Sequence, residues 1–245
     1  MKRLLFVVLM LSMLQASSIK VAVSANVSYA IDELRDEFLS THKDIKIDTI
    51  VASTGKLSSQ IIHSAPYDIL LGANMEYPQK LYSMGFAISE PKVYAKGALI
   101  FLTRKDYDLS DAFKLLKSSK VHKIAIANPK TAPYGIAGVE ALRNAGVLSD
   151  VSSKLIYGES ISQTLTYTLR ACDIGLVAKS SIYSPKLSKN ELNYKDVDTR
   201  LYKPIEQGIV LLKHSKKSRG AREFYLFLLS SKAQRIFQKY GYVLP

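Results

Sequence analysis

The apolar positions along the chain change period several times, and each change marks an element. From Ile19, "IKVAVSA" alternates as a half-buried strand does. In "SYAIDELRDEFLSTHK" the residues Ile31, Leu34 and Phe38 recur at helical spacing. "DIKIDTIV" alternates again through Ile45 and Ile47, and "GKLSSQIIHSA" puts Leu57 and Ile61 on one helical face before Pro66. "YDILLGA" is apolar enough for a buried strand, and "MEYPQKLYSMG" reads as a helix that Gly85 ends. This β-α-β-α-β-α order is that of a sheet with helices packed on both faces.

A second set begins at "GALIFLT" (97–103). "HKIAIANP", "KLIYG" and "DIGLVAKS" read as strands; "YGIAGVEALRNAG", closed by Gly146, and "SISQTLTYTLRA" read as helices. The polar stretch "SPKLSKNELNYKDVDTR" reads as loop. The strand "EQGIVLLK" follows, then two final helices containing Phe224, Leu228, Ile236 and Phe237. The expected architecture is α/β, with two lobes and a cleft between them. Residues 17–97 and 208–245 are expected to form the first lobe and 98–207 the second, with the strands 97–103 and 207–212 as crossovers.

At the N-terminus, Lys2 and Arg3 precede an apolar run from Leu4 to Leu14, and Leu14-Gln15-Ala16 makes a cleavage-like end before Ser17. The run is shorter than the ~20 residues a membrane-spanning helix needs, so residues 1–16 read as a removable secretory signal and the protein as periplasmic. Cys172 is the single cysteine, which excludes an intramolecular disulfide; beside Ala171 and ahead of an apolar strand, it is expected to be buried. The formal charge of +13 becomes +11 without Lys2 and Arg3. The lysines are scattered, their densest run being "KHSKKSRGAR", and no nucleic-acid-binding motif accompanies them. A solvated basic surface that steers anions is therefore expected, and no nucleic-acid partner.

The stretch "STGK" at 53–56 invites comparison with a phosphate loop, which needs G-x-x-x-x-G-K-[ST]. Here Ile50 stands five before Gly55 and Leu57 follows Lys56, so the motif fails twice. What is left is a glycine-containing turn opening a helix, whose unpaired N–H groups suit an anion. Lys56 is expected at the cleft rim or in solvent. Three other strand-to-helix turns share the chemistry: Ser24-Ala25-Asn26-Val27-Ser28, Thr131-Ala132-Pro133-Tyr134-Gly135 and Glu159-Ser160-Ile161-Ser162. In open α/β sheets ligands bind beyond the carboxyl ends of the strands, where such turns lie. Four helix starts, two per lobe, suit a dianion without any lysine or arginine at the contact. Each turn taken alone is better explained by ordinary N-capping, and it is the four together, two per lobe, that point to an anion.

Catalysis finds little support. His42, His63, His122 and His214 have no metal-ligand spacing, and no G-x-S-x-G elbow occurs. Asp68 and Glu159 would repel a dianion; Asp68 reads as a brace for its strand and Glu159 as a first-turn helix residue.

From Ile19 onward the chain resembles the periplasmic molybdate-binding proteins of ABC transporters. The resemblance is carried by "SANVSYAIDEL", "ASTGKLSSQIIHSAPYDILLGANMEYPQKL", "PKVYAKGALIFL", "IAIANPKTAPYGIAGVEAL", "YGESISQTLTYTLRACDIGLVAKS" and "FLLSSKAQRIFQKYGYVLP". It implies a two-lobed class II periplasmic binding protein fold, each lobe a mostly parallel sheet flanked by helices, with a tetrahedral oxyanion in the interlobe cleft. It also implies a monomer without catalysis and with no cofactor, which passes molybdate or tungstate to an ABC permease. Carried over position by position, the contacts fall at Asn26 and Thr54, where the family usually has serines, and at the main-chain N–H groups of Tyr134 and Ile161. The last falls at Ala178, where a tyrosine is common. Asn26 has an amide to donate, whereas Ala178 has no side-chain donor; Ser24, Ser28 and Ser53 are candidates to supply it. Two alternatives stay open: a binding protein for sulfate, phosphate or a small organic anion, and an exported adhesin-like module on the same fold.

Overall fold

The computed structural model describes residues 17–185, 187 and 193–245; the leader read at 1–16 lies outside them. Ten strands form two five-stranded sheets among these residues. The first holds β1 (Ser17–Ser24), β2 (Ile45–Ala52), β3 (Ile69–Leu71), β4 (Lys92–Gly97) and β10 (Ile205–Leu211), in the order β2-β1-β3-β10-β4. The second holds β5 (Leu99–Thr103), β6 (Ile124–Ala127), β7 (Leu155–Gly158), β8 (Ile174–Ala178) and β9 (Asn193–Asp196), in the order β7-β6-β8-β5-β9. β1 pairs in parallel with β2 and β3, and β6 with β7 and β8. β10 and β5 run antiparallel to both of their neighbours, so in each sheet one strand points back against four. The parallel strands of a sheet therefore end at a common edge, and the helices that follow them start there.

Helices α1 (Ile31–Leu39), α2 (Thr54–Ile62), α3 (Glu76–Ser83), α8 (Arg219–Leu228) and α9 (Ser231–Lys239) pack on the first sheet. The second carries α4 (Ala112–Lys117), α5 (Pro133–Asn144), α6 (Leu148–Val151) and α7 (Ile161–Arg170). Gly85 and Gly146 stand just past α3 and α5 with φ of 75° and 71°, the left-handed stop expected of them. Aromatic burial holds the C-terminal helices on the first lobe. Phe38 of α1 meets Phe224 and Phe227 of α8 at centroid distances of 5.0 and 5.6 Å, and Tyr94 of β4 meets Phe237 of α9 at 5.0 Å. Truncating a core ring such as Phe38 costs about 3–5 kcal/mol, so these contacts outweigh any propensity term in placing α8.

Several features depart from the expectations. β9 lies inside the stretch expected to be loop; it is a solvent-facing edge strand on β5, where the main chain makes the ladder and polar side chains are tolerated. α4 is only six residues, too short to show a repeating apolar face. β4 hides between lysines, with only Tyr94 and Ala95 buried. Residues 97–103 are divided at Ala98 between β4 and β5, and β10 lies wholly in the first sheet, so neither expected crossover strand spans the lobes. The chain passes over at Ala98 and returns through 197–204; Ile205, Glu206 and Gln207 already pair with β4. Cys172 is half-buried rather than buried, and that partial burial pushes its thiol up.

Two carboxylates pin the sheets in matching fashion. Asp68 precedes β3, donates its N–H to the Lys20 carbonyl (2.8 Å) and accepts the Lys20 N–H on its side chain (2.8 Å). Asp173 precedes β8, donates its N–H to the Lys123 carbonyl (2.9 Å) and accepts the N–H groups of His122 and Lys123 (2.7 and 2.8 Å). Each ties the start of a parallel strand to its neighbour. Asp68 also pairs with His214, and Asp173 with Lys105. Burial opposes ionisation of Asp173, yet the Lys105 ammonium and the two N–H groups hold its carboxyl at about 2.

Candidate functional site

Where the parallel strands of the two sheets end, ten residues from both lobes line a narrow cleft with about 190 Å3 of unfilled space, part of it open to solvent. The first lobe contributes Ser24, Ala25 and Asn26, at the 3-10 turn Ala25–Tyr29 after β1. It adds Ser53 and Thr54 at the start of α2, and Ala73 just past β3. The second lobe contributes Ala132, Pro133 and Tyr134 at the start of α5, and Ile161 at the start of α7. All four turns picked out in the sequence are thus brought to one place. Among the described residues no lysine, arginine, histidine, aspartate or glutamate lines the cavity.

The hydroxyls come from the first lobe. Ser24 Oγ and Thr54 Oγ1 lie 2.6 Å apart, and Thr54 Oγ1 also accepts the Ala73 N–H at 3.1 Å. Of the two protons on this pair, one is used between them and the other is left to turn into the cavity. Ser53 is the N-cap of α2 but makes no capping bond, and its Oγ has no partner among the described residues although Ser53 is only 6% exposed. The hydroxyl is not sealed off with the residue: it keeps accessible surface at the cavity, where a ligand can meet it.

The second lobe offers main chain. Pro133 has no N–H, and those of Gly135 and Ile136 turn back to the Ala132 carbonyl (2.8 and 3.3 Å). Tyr134 thus keeps a first-turn N–H with no acceptor inside its helix. Its phenol stays protonated, pushed well above its ordinary range by burial and by the nearby Tyr242 and Tyr202. At α7, Ser160 Oγ accepts the Gln163 N–H (3.3 Å) and the Ser160 carbonyl takes the Thr164 N–H (2.9 Å). The Ile161 N–H, one residue into the helix, has no intrahelical acceptor either.

Two expectations about individual donors do not hold. Both protons of the Asn26 amide are committed within the protein: Asn26 Nδ2 donates to Gln207 Oε1 (2.7 Å) and to the Tyr242 hydroxyl (2.8 Å). Asn26 therefore has no side-chain proton left to give a ligand in the cavity. Ala178 does not line the cavity; it is fully buried at the end of β8. Ser28 is also turned away, donating to the Ala25 carbonyl at 2.7 Å. Lys56 is exposed, Asp68 lies at the opposite end of its strand, and Glu159 is exposed beside Ser160. Among the described residues no cluster of histidine, cysteine, aspartate or glutamate could hold a metal.

Sequence reasoning missed Ala73, Gln207 and Tyr242. Ala73 obeys the strand-end rule and was findable. Gln207 and Tyr242 meet Asn26 from 181 and 216 residues away, a separation without local signal. The lobes also touch directly, as Ser162 Oγ donates to the Ala25 carbonyl (3.2 Å) and Ser180 Oγ to the Asn26 carbonyl (2.9 Å).

Two α/β lobes closed on a small cavity lined by donors and free of charged side chains define a protein that captures a ligand between its lobes. The family of bacterial extracellular solute-binding proteins matches residues 19–243, and the chain belongs to it. It is 32% identical over 234 residues to the molybdate-binding protein ModA of Azotobacter vinelandii, covering 94% of this chain and 91% of that protein. It is 34% identical over 192 residues to ModA of Rhodobacter capsulatus, covering 78% and 74%. The solved structure of the Azotobacter vinelandii periplasmic molybdate-binding protein superposes with a TM-score of 0.85 at 28% identity, over 93% of this chain and 99% of that one. The fold is accordingly the periplasmic binding protein fold, and the family is one of transport components rather than enzymes.

Proposed function

We propose that the protein binds molybdate in the periplasm, accepts tungstate through its nearly equal size, and delivers the oxyanion to an ABC permease. The observation that carries this is a cavity of hydroxyl and main-chain donors without a charged side chain. Ser53 would donate through its side chain, Thr54 would donate the one proton that its pairing with Ser24 leaves free, and Asn26, Tyr134 and Ile161 would donate through N–H groups at helix starts. Ser53 takes the place of the donor that Ala178 lacks. No cofactor is required, and one chain suffices for the site. The ModA relatives support the choice of oxyanion.

The donor set also favours a fully deprotonated dianion. Monoprotonated phosphate brings a proton that needs an acceptor, and no carboxylate lines the cavity. Sulfate has shorter bonds to oxygen, so a rigid cavity sized for molybdate holds it at longer, weaker hydrogen bonds. Calorimetry of the leader-free protein against molybdate, tungstate, sulfate and phosphate tests the proposal. One-to-one binding of the first two is expected, with a gain in stability of about 2.7 kcal/mol at a hundredfold excess over Kd. Equal responses to sulfate and phosphate favour a general anion carrier, and no response to any anion favours an exported interaction module. Sequencing the N-terminus of protein recovered from the periplasm tests removal of the leader near Ser17.

A further inference from the structure

We infer that Gly55 is a positioning residue for capture: its missing side chain lets the start of α2 latch onto the Asn128–Ala132 turn of the second lobe. This rests on the proposed capture of an oxyanion only for the choice of ligand. The Gly55 N–H donates to the Thr131 carbonyl at 3.0 Å, so it is committed to the opposite lobe and not to the cavity. Beside it, Tyr77 of α3 donates its hydroxyl to the Lys130 carbonyl at 3.4 Å. A Cβ at position 55 would stand 2.8 Å from the Tyr77 hydroxyl, 2.9 Å from the Thr131 carbonyl oxygen and 3.1 Å from Thr131 Cα.

A tyrosine hydroxyl at the end of its ring can swing aside, but main chain yields only if its surroundings do. Here they are fixed. The Thr131 and Ala132 N–H groups both donate to the Asn128 carbonyl (3.1 and 2.9 Å), and the Asn128 N–H donates to the Gly158 carbonyl (2.8 Å). The Lys130 N–H donates to Asn128 Oδ1 (3.0 Å). On the other side, the Leu57 N–H holds the first turn of α2 on the Ser53 carbonyl (3.0 Å). A methyl group between two such pieces is accommodated by parting the lobes. Thr54 and Ala132, the immediate neighbours of the latch, line the cavity, so parting also draws the two halves of the donor set away from each other.

The open form does not feel this contact, and alanine favours a helix over glycine. Gly55→Ala should therefore melt no lower than the parent without ligand, yet bind molybdate about tenfold more weakly, which is ~1.4 kcal/mol against the closed state. Gly55→Val should bind more weakly still. The test is a spin-label distance measurement in a Cys172→Ser background, with labels on Lys80→Cys and Lys130→Cys, both exposed positions on opposite lobes. The parent should show a short-distance population that molybdate enlarges, and Gly55→Ala should show less of it under both conditions. Identical distance distributions in parent and variant overturn the latch, as does a variant that closes fully but has lost affinity. If molybdate moves nothing in the parent while Gly55→Ala still depletes the short-distance population, the latch stands and the molybdate proposal falls.

Discussion

The two halves of the cleft are built from the same parts, parallel strands that end in helix starts, yet they bring unequal chemistry. The first lobe presents three side-chain hydroxyls, Ser24, Ser53 and Thr54; the second presents Ala132, Pro133, Tyr134 and Ile161, whose donors are main-chain. The N-caps differ in the same sense. Ser160 uses its oxygen to cap α7, whereas Ser53 leaves its hydroxyl uncommitted at the cavity. Side-chain donors set how strongly an anion is held and are open to substitution. Main-chain donors are indifferent to side-chain identity and depend on the position of a whole helix. Substitution in one lobe should therefore act on affinity, and in the other on stability.

Thr54→Val should have the largest effect. It removes a hydroxyl donor to a charged ligand, worth about 1.5–3 kcal/mol, or roughly ten- to hundredfold in affinity. It also strips the buried Ala73 N–H of its acceptor, so the melting temperature of the free protein should fall as well; unchanged binding would remove Thr54 from the donor set. Ser53→Ala tests the hydroxyl that has no partner. Calorimetry should show a loss of about tenfold with free-protein stability unaltered, and a fall in stability would mean that Ser53 serves the fold.

Lys56→Ala, at an exposed position, should weaken binding only slightly at low salt and not at all at high salt, because its attraction is screened over about 10 Å at 0.1 M. A large loss at both salt concentrations would return "STGK" to a lysine-based cradle. Ile161→Val turns the comparison around. The N–H survives, so affinity should hold while stability falls by about 0.5–1.5 kcal/mol for a buried methyl group. A clear loss of affinity there would show that the second lobe works through side chains after all.

The smallest effect on binding is expected far from the cleft, at Asp173. Its folded carboxyl is held at about 2, below the ordinary 3.8, so its stabilising contribution is complete above pH 4 and is lost as the pH falls toward 2. Asp173→Asn should thus melt below the parent at neutral pH, and the gap should close between pH 4 and 2. A gap independent of pH would assign the loss to packing rather than to ionisation.

Most of the order of strands and helices was legible because a strand or a helix imposes its period on residues two to four apart. Val21 and Val23 on β1, or Ile31, Leu34 and Phe38 on α1, declare their element without reference to the rest of the chain. Helix starts were legible for the same reason, since Ser53, Pro133 and Ser160 mark them locally, and the strand-end rule then gathered them into one cleft. β9 and α4 escaped because an edge strand needs no apolar side chains and a six-residue helix has no face to repeat.

What the sequence determined by itself was the succession of elements and the kind of donor each turn could offer. Tertiary structure decided which donors are still free. Asn26 has a donor amide in any fold, but Gln207 and Tyr242 take both of its protons. Gly55 has an N–H in any helix start, but Thr131 of the other lobe accepts it. Each of these bonds joins groups far apart in the chain, and a proton committed to one acceptor is unavailable to a second, so the composition of the site follows from long-range neighbours that no local pattern encodes.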